Sequence, residues 1–463
     1  MTNFEDSIIP LSFDLSHMKY APIDPRLFVE NRQRLLEMLP QDCIAVFHSA
    51  DLPWRCADGS MRFIQGSDIY YLTGIDQEQT MLILEPGAED PNDRARLFVR
   101  ETSEELTIWE GEKLSPEQAT EVSGIENIIL NDQFEGVFRR LARKYDRLFL
   151  NHNEHPKPSG PMVFSPDDRF REHCVAQYPD HRFERVAPFL HQMRQAKSQI
   201  EVDVLQHACD ITAKGFQRTL DFVKPGVMEY EIEAELIHEF TRHGSRGFAY
   251  EPIIATGKNA CTLHYLTNDS KCEDGQLILM DVAAEYAGYN SDLTRTIPAN
   301  GKFTERQRAV YDAVYRIFRK CIDELMVPGK KVRDEYQREV ARATEDELIG
   351  LDLIDADIVA EERTKDVKEL PEEKRAYRKY FMHGTSHNLG LDVHDVNPPD
   401  CIFVENQVMT VEPGIYIPDE GFGVRLENDV VVKAGGNVDL MAGIPIEADE
   451  IEALMAEAAA ARS

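Results

Sequence analysis

The stretch LILMDVAAEYAGYNSDLTRT, Leu277 to Thr296, decides how the chain is read. Leu277 to Ala284 is apolar and strand-like, Glu285 to Gly288 carries a turn, and Tyr289 to Ile297 alternates as a returning strand. With the turn centred between Tyr286 and Ala287, Asp281 and Asp292 become directly opposed partners whose Cβ atoms lie ~4.5–5.5 Å apart. Two carboxylates that close, one of them beginning inside an apolar strand, are strongly disfavoured unless cations sit between them. A pair of metal ions roughly 3.5–4 Å apart fits the spacing. The plainer alternative is two surface aspartates on a hairpin, and the rest of the chain decides between them.

Length and composition bound the answer. A chain of 463 residues suggests two or three domains with sizeable cores. Lys and Arg number 51 against 83 Asp and Glu, and the net charge of −32 disfavours nucleic acid and anionic membranes while attracting divalent cations. Eight cysteines without paired spacing indicate neither a zinc ribbon nor a disulfide framework, and a reducing compartment follows. The amino terminus lacks a basic segment followed by an apolar one, and there is no run of roughly 18 apolar residues, so a cytoplasmic, unanchored protein is expected.

Residues 1–190 read as an α/β domain. Arg26 to Leu39 is helical, and strands are expected at Ile44 to Phe47, Ile69 to Leu72, Met81 to Leu84, Ala95 to Val99, Ile128 to Leu130 and Leu148 to Leu150, with a helix over Phe134 to Lys144. His48, His152, His155 and His173 have no partners at ligand spacing and read as surface or hydrogen-bonded histidines. Asn151 to Asp167 reads as a loop.

Residues 191–463 read as an α+β domain. Ser198 with Glu201, and Thr304 with Gln307, are capping-box signals for helices running to Val223 and about Leu325. Between them lie a helix over Glu229 to Arg242, ended by Gly244, and strand-like segments around Tyr250 to Ala255 and Cys261 to Tyr265. Val332 to Leu348 is helical, and the mixed charges of Asp355 to Lys379 suggest a solvated helical insertion. Strands at Val408 to Val411 and Gly423 to Val432 precede a terminal helix, Asp449 to Ala461.

Three of these later stretches could complete a metal site. FMHGTSHNLGLDVHD, Phe381 to Asp395, holds His383, His387 and His394. VMTVEPGIYI, Val408 to Ile417, and GFGVRLENDVVV, Gly421 to Val432, place Glu412 and Glu427 in apolar strands, where a lone carboxylate is costly. Singly, each glutamate could equally be a buried ion-pair partner of Arg425. Together, two Asp, two Glu and a His in apolar surroundings are hard to explain without metal.

The hairpin, HGTSH, LDVHD, VEPG and RLEND closely resemble the pita-bread (creatinase/aminopeptidase-like) metallopeptidases, and within them the Xaa-Pro aminopeptidases. In the amino-terminal domain the resemblance rests on size and on GSDIYYLTGI, Gly66 to Ile75. The resemblance implies that Asp281 binds one metal, that Asp292 and Glu427 bridge two, and that His387 and Glu412 bind the other. It also implies that His264, His383 and His394 sit near the substrate and that Arg425 lies in the substrate pocket. Asn388 departs from the pattern, since relatives usually carry a large apolar residue there.

By the same resemblance, two divalent ions, Mn²⁺ in an oxygen-rich site with a single imidazole, generate hydroxide that attacks the carbonyl preceding proline. Glu412 manages the proton, and His264 with His394 stabilises the oxyanion. Peptides with proline second are the implied partners of a homo-oligomer whose amino-terminal domain limits substrate access. A prolidase and a non-catalytic pita-bread binding protein remain as rivals, whereas the long amino-terminal domain argues against a methionine aminopeptidase.

Overall fold

The computed structural model describes residues 20–152, 154, 163–366 and 368–462. Two compact units divide the chain between Arg194 and Gln195.

The first unit is built on a six-stranded mixed sheet in the order Asn127–Leu130, Ala95–Val99, Met81–Leu84, Cys43–His48, Arg147–Leu150, Arg182–Arg185. The helix Phe134–Lys144 covers one face through Phe134, Val137, Phe138 and Leu141, which pack with Ile44, Val46, Phe98 and Leu148. Ile69 to Leu72, expected as a strand, instead lies in the helix Ser67–Thr73. Asp68 in its first turn and Gly74 in the left-handed region at its end outweigh the β-propensity of the Ile-Tyr-Tyr run. His48 and His152 are hydrogen-bonded, to Asp167 and Asp168. Of the loop expected over Asn151 to Asp167, residues 153 and 155–162, His155 among them, lie outside the described residues. Its last two residues open the helix Pro166–Gln177, capped by Ser165.

In the second unit both capping boxes form, on the helices Gln199–Phe222 and Glu305–Lys320. The strands Thr294–Pro298, Leu277–Asp281 and Ile253–Thr256 make one antiparallel sheet, and Val408–Val411, Asn428–Val431 and Val438–Asp439 make another. An isolated bridge between Thr294 and Glu427 links them. Cys261 to Tyr265, expected as a strand, belongs instead to a 3-10 turn, Gly257–Cys261, and the turn after it.

The hairpin register differs from the expected one. Glu285 pairs with Asn290 and Tyr286 with Tyr289, so the turn is centred between Ala287 and Gly288. Both turn residues have positive φ, +50° and +83°, as a two-residue hairpin turn requires to match the strand twist. Asp281 therefore faces Thr294 rather than Asp292. Because side chains alternate with period two, Asp292 keeps the face of Thr294 and becomes a diagonal neighbour of Asp281.

Candidate metal centre

Five backbone segments bring the acidic groups and His387 together. Asp281 ends its strand opposite Thr294, and the N–H of Glu427 donates to the carbonyl of Thr294 at 3.0 Å, so three neighbouring segments carry Asp281, Thr294 and Glu427 side by side. The fourth, the segment of His387, is laid along the fifth, Val408–Val411. The N–H of Thr410 donates to the His387 carbonyl at 3.0 Å, and that of Glu412 to the Thr385 carbonyl at 2.8 Å.

Asp292, His387 and Glu427 bring one ligand atom each to within 4.8 Å of one another. His387 Nε2 lies 3.4 Å from Asp292 and 3.8 Å from Glu412. Its other ring nitrogen, Nδ1, is 3.0 Å from the carbonyl of Asn388, which orients the ring so that Nε2 faces the carboxylates. Asp281 joins the group through Tyr250, whose hydroxyl lies 2.6 Å from Oδ1 of Asp281 and 2.6 Å from Oδ1 of Asp292.

The electrostatics of this cluster call for cations. Asp292 and Glu427 are buried, at 5% and 2% exposure. Burial, reinforced by the charge of Asp292, pushes the Glu427 carboxyl well up. Burial likewise raises Glu412 to about 7, although His387 and Arg425 oppose the shift. Burial alone would lower His387, but its hydrogen bond to Asp292 and the charge of Glu412 lift it to about 9. A single Tyr250 proton cannot satisfy two carboxylate oxygens at once. Arg425 pairs with Asp281 at 2.6 Å and not with Glu412 or Glu427, the pairings weighed as the alternative to metal. Four clustered carboxylates facing this arginine and one imidazole thus fit divalent ions, and the oxygen-rich donor set suits hard or borderline ones.

The remaining predicted residues surround the cluster. His383 Nε2 is 2.7 Å from the hydroxyl of Tyr416, and burial together with the charge of Arg425 lowers this histidine to about 3, so it is neutral. Arg425 donates to the same hydroxyl at 2.8 Å and to Thr294 Oγ1 at 3.0 Å, and Thr294 donates to Glu427 at 2.7 Å. The ring of His394 packs on His387 with centroids 4.2 Å apart. His264 is exposed and, among the described residues, makes no hydrogen bond or ion pair with the five carboxylate and imidazole groups. Asn388 is buried, donating to the carbonyl of Val396 at 3.2 Å and accepting from Gln407, so its polar side chain is matched inside the fold.

Sequence reasoning singled out neither Tyr250, Thr294, Tyr416 nor Asp429. Asp429 was findable, because it stands in the same apolar strand context that flagged Glu427. It is fully buried, and its Oδ2 accepts the backbone N–H of Asp292 at 3.0 Å. Tyr250 carries no local signal, because its partners lie 31 and 42 residues further on.

Comparison with known proteins gives this geometry a context. Residues 203–434 match the model of metallopeptidase family M24, and residues 28–149 match that of the aminopeptidase P N-terminal domain. The Xaa-Pro aminopeptidase of Escherichia coli (strain K12) is 34% identical over 456 residues, covering 95% of this chain and 99% of that one. A solved structure of aminopeptidase P from E. coli superposes with a TM-score of 0.82 at 32% identity, covering 95% of this chain and 100% of that one. The Pseudomonas aeruginosa aminopeptidase PepP gives 0.83 at 32% identity, covering 95% and 99%. The carboxyl-terminal unit has the pita-bread fold, and the acidic cluster lies among the residues that the peptidase model matches: the chain belongs to metallopeptidase family M24.

Proposed function

We propose that this chain is a two-metal aminopeptidase that releases the first residue of peptides with proline second, and that its ions are Mn²⁺. The convergence of Asp292, His387 and Glu427 within 4.8 Å, amid buried acids that exceed their cationic partners, carries the reading. Likeness over nearly the full length to an E. coli protein named Xaa-Pro aminopeptidase supports the substrate class. In this reading Asp281, Asp292, His387, Glu412 and Glu427 would hold the ions.

Ions bound there would supply a nucleophile at neutral pH and polarise the scissile carbonyl. The chain's own residues do the rest. Glu412 takes a proton from the attacking water and returns it to the departing proline nitrogen. His264 and His394 face the oxygen on which negative charge develops. His383 and Arg425, joined through the Tyr416 hydroxyl, form one wall of the substrate site. The bond to proline offers no N–H, so selection rests on a pocket shaped for the ring.

We assign the first unit to assembly of a homo-oligomer and to limiting substrate access. Trp54, Met61 and Ile64 are 73%, 58% and 68% exposed, and such apolar side chains suit the centre of an interface. All eight cysteines are free thiols, which supports a reducing compartment, the cytoplasm. Among the described residues no helix is long and apolar enough to cross a membrane, and the acidic surface disfavours nucleic acid.

Assay of a tripeptide and a dipeptide, both with proline second and Mn²⁺ added, tests the activity. Cleavage of the tripeptide after its first residue is expected, whereas cleavage of the dipeptide alone would make the protein a prolidase. Sedimentation of the full-length protein as a monomer would refute the assembly role.

A further inference from the structure

The loop that carries His264 is organised by a carboxylate from another element. Glu229 opens the helix Glu229–Arg242 and is fully buried, at 0% exposure. Its Oε1 accepts the backbone N–H of Thr256 at 2.7 Å and the side-chain N–H of Asn259 at 3.3 Å. Its Oε2 accepts the hydroxyl of Tyr265 at 2.8 Å and the backbone N–H of Ser270 at 2.9 Å. All four donors come from one segment, residues 256–270, which leaves the strand Ile253–Thr256, turns through Gly257–Cys261 and returns to bridge Met228 at Lys271. His264 lies within that segment, next to the tyrosine that Glu229 holds.

The chemistry of this arrangement is one-sided. Both carboxylate oxygens point at donors, each bond is strengthened by the negative charge, and the helix N-terminus favours that charge where it sits. Glutamine has the same shape but a single acceptor oxygen. At position 229 its amide NH₂ would face either the Thr256 and Asn259 donors or the Tyr265 and Ser270 donors, and one anchor of the loop must then let go. The loop has other supports, which keep it folded when that happens. Asn268 accepts from the N–H of Ile254 at 2.9 Å and donates to the Pro252 carbonyl at 3.0 Å, while Leu263 and Tyr265 pack against Tyr416 and its buried neighbours.

We propose that Glu229 is a positioning residue for His264, fixing the 256–270 loop so that this exposed imidazole is held where the oxyanion develops. The proposal rests on the reading of His264 given above. Glu229 itself touches neither the substrate nor the five proposed ligands.

A double-mutant cycle on the full-length, Mn²⁺-loaded protein tests it, comparing E229Q, H264A and the pair on a tripeptide with proline second. E229Q is expected to lower kcat by about tenfold to a hundredfold, because small misplacements of a catalytic group cost that much, with KM and metal content unchanged. Acting through His264, it should add nothing in the H264A background. In metal-free protein labelled at histidine, the imidazole signal lost in H264A should move in E229Q while those of the other histidines stay. Should E229Q fail to fold, Tyr265→Phe removes one donor and leaves both backbone bonds, and its smaller loss should likewise vanish in the H264A background. Losses that multiply in the double variants, or an unmoved His264 signal, would overturn the role of Glu229 alone. An H264A enzyme with undiminished kcat would overturn the role of His264 and this proposal with it.

Discussion

The hydroxyl of Tyr250 lies 2.6 Å from Oδ1 of Asp292 and 2.6 Å from Oδ1 of Asp281. One proton is thus shared between two acids that both stand to bind metal. Burial, together with the charges of Asp281 and Asp292, drives the phenol far from ionisation, so it remains a donor. Tyr250→Phe should therefore leave the fold intact and weaken divalent metal binding by about 10–100-fold, the usual cost of losing a partner that orients a ligand. Competition with a fluorescent chelator measures this, and an unchanged affinity would show that the hydroxyl does not set the carboxylates.

The acidic cluster ties stability and metal uptake to pH. In the metal-free protein Glu412 is raised by burial from 4.5 to about 7, and His387 is raised to about 9 from 6.5, mainly because Asp292 and Glu412 outweigh its burial. A group raised on folding stabilises fully below its unfolded value, and that stability is lost as pH climbs through the folded one. The Glu412 contribution fades between 4.5 and about 7, and that of His387 between 6.5 and about 9. Chelated protein should accordingly melt at lower temperature at pH 9 than at pH 6, and metal-loaded protein should show little of this trend. Metal binding at neutral pH should also release protons. Titration calorimetry in buffers of different ionisation enthalpy detects the release, and identical heats in all buffers would contradict it.

Asp292→Ala and His264→Ala should fail in different ways. Asp292 belongs to the cluster within 4.8 Å, and its loss should remove metal and activity together. His264 acts on charge that develops later, so its variant should keep its metal and lose ~10²–10³ in turnover, the typical cost of one oxyanion donor. Metal analysis beside kinetics separates the two, and equal losses with full metal in both would refute the assignment.

Local rules carried far in this chain, and long-range ones did not. The capping boxes at Ser198 and Thr304 are sequence patterns completed within one turn, and both form. The hairpin register was legible only to within a residue, because its centre depends on which pair adopts positive φ, and Ala287 is an unusual choice. Ile69 to Leu72 misled because the strand propensity of its β-branched and aromatic residues is outweighed by Asp68 in the first helical turn and the left-handed Gly74 at its end. In the site, the acidic residues were visible as charges in apolar strands. Arg425 was legible as a member of the site but its partner was not, since nothing local distinguishes Glu427, two residues away, from Asp281, which is 144 residues distant. Tyr250 reaches its partners only through the fold.

Elemental analysis after chelation and reloading with manganese tests the central claim most directly. A dinuclear centre predicts two Mn²⁺ per chain, with activity that disappears on chelation and returns on reloading. Trace metal after loading, with undiminished activity, would contradict it.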